Sequence, residues 1–182
     1  MAKIVVMAGA KGGIGRSSIT ELINEYEAII KIRTVLSMMF DTQGGAHIKH
    51  LPMNIDSVTA ERLIPEHPQG GLHSTGDIFS DKIPLPHPTA FDNLDVLPPV
   101  KSLLREHKSH NKGDILKQKR QLIHYILKIQ EYRKEHGKKP YDLVTIDTAP
   151  SFDDYTIVAI KSSTHLIVPF QPTDEDSVQG VL

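Results

Sequence analysis

Residues Lys3 to Ser18, KIVVMAGAKGGIGRSS, restrict the fold more than any other stretch. The β-branched apolar run Ile4 to Met7 passes directly into a glycine-rich turn. That turn opens a segment whose apolar residues Ile19, Leu22, Ile23, Tyr26, Ile29 and Ile30 follow helical spacing. The order predicts a strand, an anion-binding loop and a helix over about Ser18 to Lys31. Gly12, Gly13 and Gly15 let the backbone curl so that successive N–H groups converge on one anion, and the helix N-terminus adds partial positive charge. Lys11 and Arg16 supply cations for what the amides leave unneutralised. Ser17 places a hydroxyl where a nucleotide-bound Mg²⁺ takes an oxygen ligand. A glycine-rich strand-to-helix turn that holds no ligand is the plain alternative.

The loop departs from the pattern G-x-x-x-x-G-K-[ST], because Ala10 stands at the first glycine and Arg16 at the lysine. It fits better a pattern with an extra lysine early in the loop. Ala10-Lys11-Gly12-Gly13-Ile14-Gly15-Arg16-Ser17 resembles the deviant Walker A loop of the ParA/MinD family of P-loop ATPases, with Lys11 in the place of that family's early lysine.

Two later stretches carry the same resemblance. A strand over Thr34 to Phe40 ends in Phe40-Asp41-Thr42-Gln43-Gly44-Gly45, which resembles the family's V-L-L-I-D-x-D-P-Q-G segment with Asp41 on the second aspartate and Gln43 on the glutamine. Met39 replaces the first aspartate and Thr42 the proline. The resemblance implies that Asp41 positions or activates the attacking water; read by itself, Asp41 merely ends a strand in a turn. Tyr141-Asp142-Leu143-Val144-Thr145-Ile146-Asp147-Thr148-Ala149-Pro150-Ser151 closely resembles the family's Y-D-x-V-I-I-D-T-P-P-S, with Ala149 for one proline. Its buried-strand run ends in Asp147, the usual placing for a carboxylate that orders Mg²⁺ directly or through water, opposite the Ser17 hydroxyl.

The remaining chain is read more coarsely. Leu94 to Pro98 reads as a strand, Asp114 to His136 as a long amphipathic helix stopped by Gly137 and Pro140, Asp154 to Ser162 as a helix and His165 to Phe170 as a strand. Phe170-Gln171-Pro172-Thr173-Asp174 matches the family's P-x-Q-P-[ED], and a helix is expected to begin over Ser177 to Leu182. Between Ala46 and Pro88 prolines and histidines are scattered, with short helices expected at Thr59 to Leu63 and Thr75 to Phe79. His47 with His50, and His107 with His110, are spaced i, i+3, but two histidines without a third ligand in reach read as surface residues.

Charge and composition exclude some branches of this superfamily. The chain has no cysteine, so disulfides and thiolate-held clusters are ruled out, and with them the iron–sulfur members. No run reaches the length of a membrane span, and the expectation is a cytoplasmic protein with no membrane association. Net charge is −1, yet Lys101 to Lys139 holds twelve Lys/Arg against four Asp/Glu. That surplus lies on the outer face of the 114–136 helix, where it reads either as a solvated surface or as a footprint for nucleic-acid phosphates. Aromatic residues are sparse there, so any DNA contact is expected to be nonspecific and salt-sensitive.

The resemblance covers nearly the whole chain and implies an α/β fold, a mostly parallel sheet with helices on both faces. Residues 1–182 are expected to form a single nucleotide-binding domain that lacks the family's C-terminal strands and helices. Implied cofactors are ATP or ADP with Mg²⁺. The phosphates would be held by Lys11, Gly12, Gly13, Ile14, Gly15, Arg16, Ser17 and Ser18, the metal by Ser17 and Asp147, and hydrolysis would depend on Lys11, Asp41 and Arg16. A small ParA-type partition ATPase fits best: a homodimer when ATP-bound, holding DNA nonspecifically and stimulated by a ParB-type partner. Arg16 works against this, because a planar fork at a tight phosphate contact is no equivalent of lysine. It opens the alternative of a nucleotide-dependent binding module that does not hydrolyse. A small-molecule kinase or synthetase is a weaker reading, since it leaves Lys11 without a task.

Overall fold

The computed structural model describes residues 2–41, 50–51, 54–55, 62–80, 82–99 and 114–170. Six strands form one sheet in the order β5-β6-β2-β7-β1-β8: β1 Lys3–Met7, β2 Val35–Met39, β5 His87–Pro88, β6 Leu94–Leu97, β7 Leu143–Asp147 and β8 His165–Ile167. All neighbours pair in parallel except β5 with β6. A separate antiparallel pair joins β3, Asn54–Ile55, to β4, Arg62–Leu63. The helix expected at Thr59 to Leu63 is therefore corrected: its end lies in a strand, and residues 59–61 are outside the described ones. Thr75–Ser80 forms a 3-10 helix. The expected strand from His165 to Phe170 ends at Ile167.

Strand alternation distributes the core over two faces. Ile4, Val6, Leu36, Met38, Val144 and Ile146 point to one side. There they pack with Leu122, Tyr125, Ile126 and Ile129 of helix α2, Ile115–Glu135, and with Tyr155, Val158 and Ala159 of helix α3, Asp154–Ser162. Val5, Val35, Leu94 and Leu143 point to the other, against Ile23 and Ala28. Helices thus cover both faces of a largely parallel sheet, which is why its central strands are apolar in consecutive residues. Asp114 and Asp153 cap α2 and α3 by accepting from the N–H groups of Lys117 and Thr156.

Helix α1 differs from its sequence expectation. It is α-helical over Arg16–Glu25 and continues as a π-helical turn, Tyr26–Ile30, closed by the Lys31 N–H donating to the Tyr26 carbonyl. The apolar stripe expected to face the core is largely outside: Leu22, Tyr26, Ile29 and Ile30 are all exposed. The buried side carries Thr20, Glu21, Asn24 and Ala28. Asn24 explains the inversion. Its amide donates to Ser37 Oγ at 2.9 Å and accepts from Thr145 Oγ1 at 2.7 Å, so two hydroxyls on the sheet select a polar residue from the helix.

Candidate functional site

The register sets the floor of the site. Met7 of β1 and Met39 of β2 both lie level with Asp147 of β7, so three central strands end together at one rim. Ligands of open parallel sheets bind outside such carboxyl ends. Asp147 shares the parity of Leu143 and Thr145 and so points to the side of the sheet that α1 covers. Ser17, in the first turn of α1, meets it there: its Oγ donates to Asp147 Oδ2 at 2.6 Å. Asp147 is fully buried. Thr148, next to Asp147 in the same motif but with no site role expected from sequence, donates to the Met7 carbonyl at 2.7 Å and ties the ends of β1 and β7 together.

The glycine loop connects this rim to α1. Gly13 and Gly15 adopt left-handed backbone, φ 77° and 84°, open to glycine at little cost. No side chain caps the first turn of α1, and no acidic residue lies in it. Its leading N–H groups, which have no partner within the helix, therefore face the loop with no acidic side chain from the helix's own first turn beside them. Lys11, Gly12, Gly13 and Ser18 are exposed, Ile14, Gly15 and Ser17 are half-buried, and Arg16 is buried.

Arg16 turns inward. Its Nη1 donates to the Gly9 carbonyl and, at 2.7 Å, to the Lys11 carbonyl, so the guanidinium occupies the inside of the loop and braces its backbone. Gly9 belongs to this arrangement, although no sequence pattern marks it. A Cβ there would stand 2.8 Å from Ile14 Cδ1 and 3.6 Å from Arg16 Nη1.

Asp41 lies half-buried two residues beyond Met39, on the same rim as Asp147. Met39 itself is buried against Leu51 and Val96, which makes apolar the position beside Asp147. Gln43, His47, His107, His110 and the segment from Gln171 to Leu182 lie outside the described residues. His50 is corrected from a surface reading: its side chain is only 10% exposed and faces Glu21 and Glu25.

The basic surplus of α2 is also smaller at the surface than its residue count. Arg133 is buried in an ion pair with Asp95, its ring-stacked guanidinium 4.1 Å from the Tyr141 centroid. Lys128 pairs with Glu131, and Lys139 with Asp142. Lys117, Arg120 and Lys134 remain exposed along the helix. No helix among the described residues is long and apolar enough to cross a membrane.

The AAA_31 family model, an AAA domain, matches residues 2–182. This chain belongs to that ParA/MinD-type family. The AAA domain also resembles solved structures over its full length. A plasmid partition protein from Borrelia burgdorferi is 21% identical with a TM-score of 0.68, and the match spans 100% of this chain and 70% of that one. McdA from Cyanothece is 17% identical with a TM-score of 0.67, over 100% of this chain and 62% of that one. The ParA of pNOB8, solved bound to nonspecific DNA, is 17% identical with a TM-score of 0.64, over 100% of this chain and 57% of that one. The AAA domain thus spans less than two thirds of the length of McdA and of the pNOB8 protein. No curated protein matches it.

Proposed function

We propose that residues 1–182 form one nucleotide-binding domain acting as an ATP-controlled, partition-type switch. The observation that carries this reading is the 2.6 Å contact between Ser17 and Asp147 at the mouth of the glycine loop. The pair offers two hard oxygen donors side by side. That donor set fits Mg²⁺, which takes one or two protein ligands and fills its other positions with water and phosphate oxygens. Bound Mg²⁺ would neutralise charge on the β- and γ-phosphates. The chain's own residues then have distinct tasks. Amides from Gly12 to Ser18 cradle the phosphates, Ser17 and Asp147 hold the ion or its waters, and Asp41 orients water for in-line attack. Lys11, exposed on the loop, reaches the phosphates bound by a second subunit.

Relatives support the cofactors and the DNA contact. A single-substitution variant of Cyanothece McdA has been solved as an ATP complex, and cobyrinic acid a,c-diamide synthase from Mycobacterium smegmatis with ADP and magnesium. The pNOB8 ParA was solved on nonspecific DNA. For this chain, a nucleotide-bound homodimer would bring Lys117, Arg120 and Lys134 of two subunits to the DNA backbone, and a ParB-type protein would trigger release. The protein would work in the cytoplasm, on the nucleoid while bound to DNA.

Arg16 favours a second reading, nucleotide binding without hydrolysis. A guanidinium already bonded to the Gly9 and Lys11 carbonyls is not poised to follow charge onto a transferring phosphoryl group.

The test is equilibrium binding of ATP and ADP with and without Mg²⁺, together with hydrolysis, on this chain and on Lys11→Ala. Mg²⁺-dependent binding with slow turnover that requires Lys11 supports the switch. Binding without turnover selects the second reading, and no binding removes both.

A further inference from the structure

We propose that Glu21, Glu25 and His50 form a site for a divalent cation of the zinc class, separate from the nucleotide site. Glu21 and Glu25 are one helical turn apart on α1, i and i+4, and therefore share a face. His50 comes from the far side of the segment that leaves β2. Its Nε2 lies 3.5 Å from Glu21 Oε1 and 3.4 Å from Glu25 Oε1, and the three ligand atoms all fall within 4.8 Å of one another.

Both distances are long for an ion pair joined by a hydrogen bond. A charge-assisted hydrogen bond would draw Nε2 to about 2.7–2.9 Å from one carboxylate. Here the imidazole stands equally far from two. Four ligands bound tetrahedrally at about 2.0–2.1 Å are separated along each edge by about 3.3–3.4 Å, the spacing that zinc imposes on N and O ligands. An octahedral Mg²⁺ at the same bond length needs edges of about 2.9 Å, and its preference for oxygen disfavours imidazole.

The surroundings hold the donors in place. Leu51, next to His50, is buried against Met39 and Val96, and the His50 ring meets Phe91 edge-on at 5.5 Å. The His50 and Glu21 side chains are each 10% exposed, whereas Glu25 is 31% exposed. That leaves one side of the cluster open to solvent, where a fourth, exchangeable water ligand fits. A bound ion would fasten the chain beyond Asp41 to α1, one turn past Ser17.

The experiment is titration of the metal-stripped full chain with Zn²⁺ against a chromophoric chelator, repeated with Co²⁺ as a spectroscopic substitute, in the absence of nucleotide. One equivalent of Zn²⁺ is expected to bind in the presence of excess Mg²⁺, and Co²⁺ is expected to give the intense visible bands of four-coordination. Glu21→Gln, His50→Gln and Glu25→Gln are each expected to weaken Zn²⁺ binding at least tenfold and to abolish the Co²⁺ bands. Glu25→Gln is the most exposed of these changes and keeps the test meaningful if the buried variants unfold. Ser17→Ala is expected to leave Zn²⁺ affinity unchanged. Absence of stoichiometric binding, or binding that survives Glu25→Gln and His50→Gln, overturns the proposal, as does loss of Zn²⁺ on Ser17→Ala alone.

Discussion

Arg16 donates to the main-chain oxygen of Lys11 at 2.7 Å, so the two cationic residues of the glycine loop are linked through backbone. On the proposed nucleotide reading, the link would have a cost for phosphate binding. The guanidinium must either leave the Gly9 and Lys11 carbonyls or meet the phosphates while still holding them. A lysine at position 16 has one compact ammonium and no fork with which to brace two carbonyls. Arg16→Lys is therefore expected to tighten ATP binding about tenfold, worth about 1.4 kcal/mol, and to raise turnover. Side-by-side isotherms and phosphate-release rates check this. Equal affinity and equal turnover would mean that the loop has adapted to arginine.

Asp147 supplies the second prediction. Asn keeps its shape and can still accept from Ser17, but it lacks the charge that holds a cation. Asp147→Asn is expected to leave ATP binding without Mg²⁺ nearly unchanged while reducing the Mg²⁺-dependent gain by about 10- to 100-fold. Binding measured across a Mg²⁺ series separates these terms. An unchanged Mg²⁺ dependence would remove Asp147 from the ion's surroundings.

How far the sequence disclosed this arrangement depends on the range of the interactions involved. Lys3 to Ser18 is legible because an apolar strand, glycines and a helix are local signals. The carboxyl rim is legible because Asp147 ends an apolar run. The inverted face of α1 is not, since the preference for Asn24 arises from Ser37 and Thr145, 13 and 121 residues away. Arg16 shows a different gap: its charge was readable, but its direction depends on carbonyls exposed by the curl of the loop. His50 pairs in sequence with His47, whereas the carboxylates it faces lie on α1, in an element it meets only after folding.

The Asn24 bridge gives a stability prediction. Removing the amide strands two buried hydroxyls, and a buried donor or acceptor without a partner costs about 1–3 kcal/mol. Asn24→Ala is expected to destabilise the fold by about 2–4 kcal/mol in urea denaturation. If the bridge is the cause, adding Ser37→Ala and Thr145→Val to Asn24→Ala should recover part of the loss, because no polar group is then left unmatched. A triple variant weaker than the sum of its parts would refute that explanation.

The last prediction concerns pH and the histidines of the β5 edge. His87 is 2% exposed, and burial pushes its pKa down from 6.5 to about 4, helped by the neighbouring His67 and His73. Burial likewise lowers the pKa of His67, whose ring centroid lies 5.1 Å from that of His87. His67 Nδ1 accepts from the Gln69 N–H at 3.1 Å and its Nε2 lies 3.1 Å from the Pro86 carbonyl, an arrangement that suits the neutral ring. The folded chain thus keeps these rings neutral at a pH where the unfolded chain has begun to protonate them. Their contribution to stability is complete above about pH 6.5 and is lost progressively as the pH falls toward 4. For each ring the slope is at most about 1.4 kcal/mol per pH unit. Urea midpoints between pH 7.5 and 4.5 are expected to fall accordingly, and His87→Leu, which removes the most displaced of these groups, is expected to flatten the decline. The same slope in wild type and His87→Leu would place the acid sensitivity elsewhere in the fold.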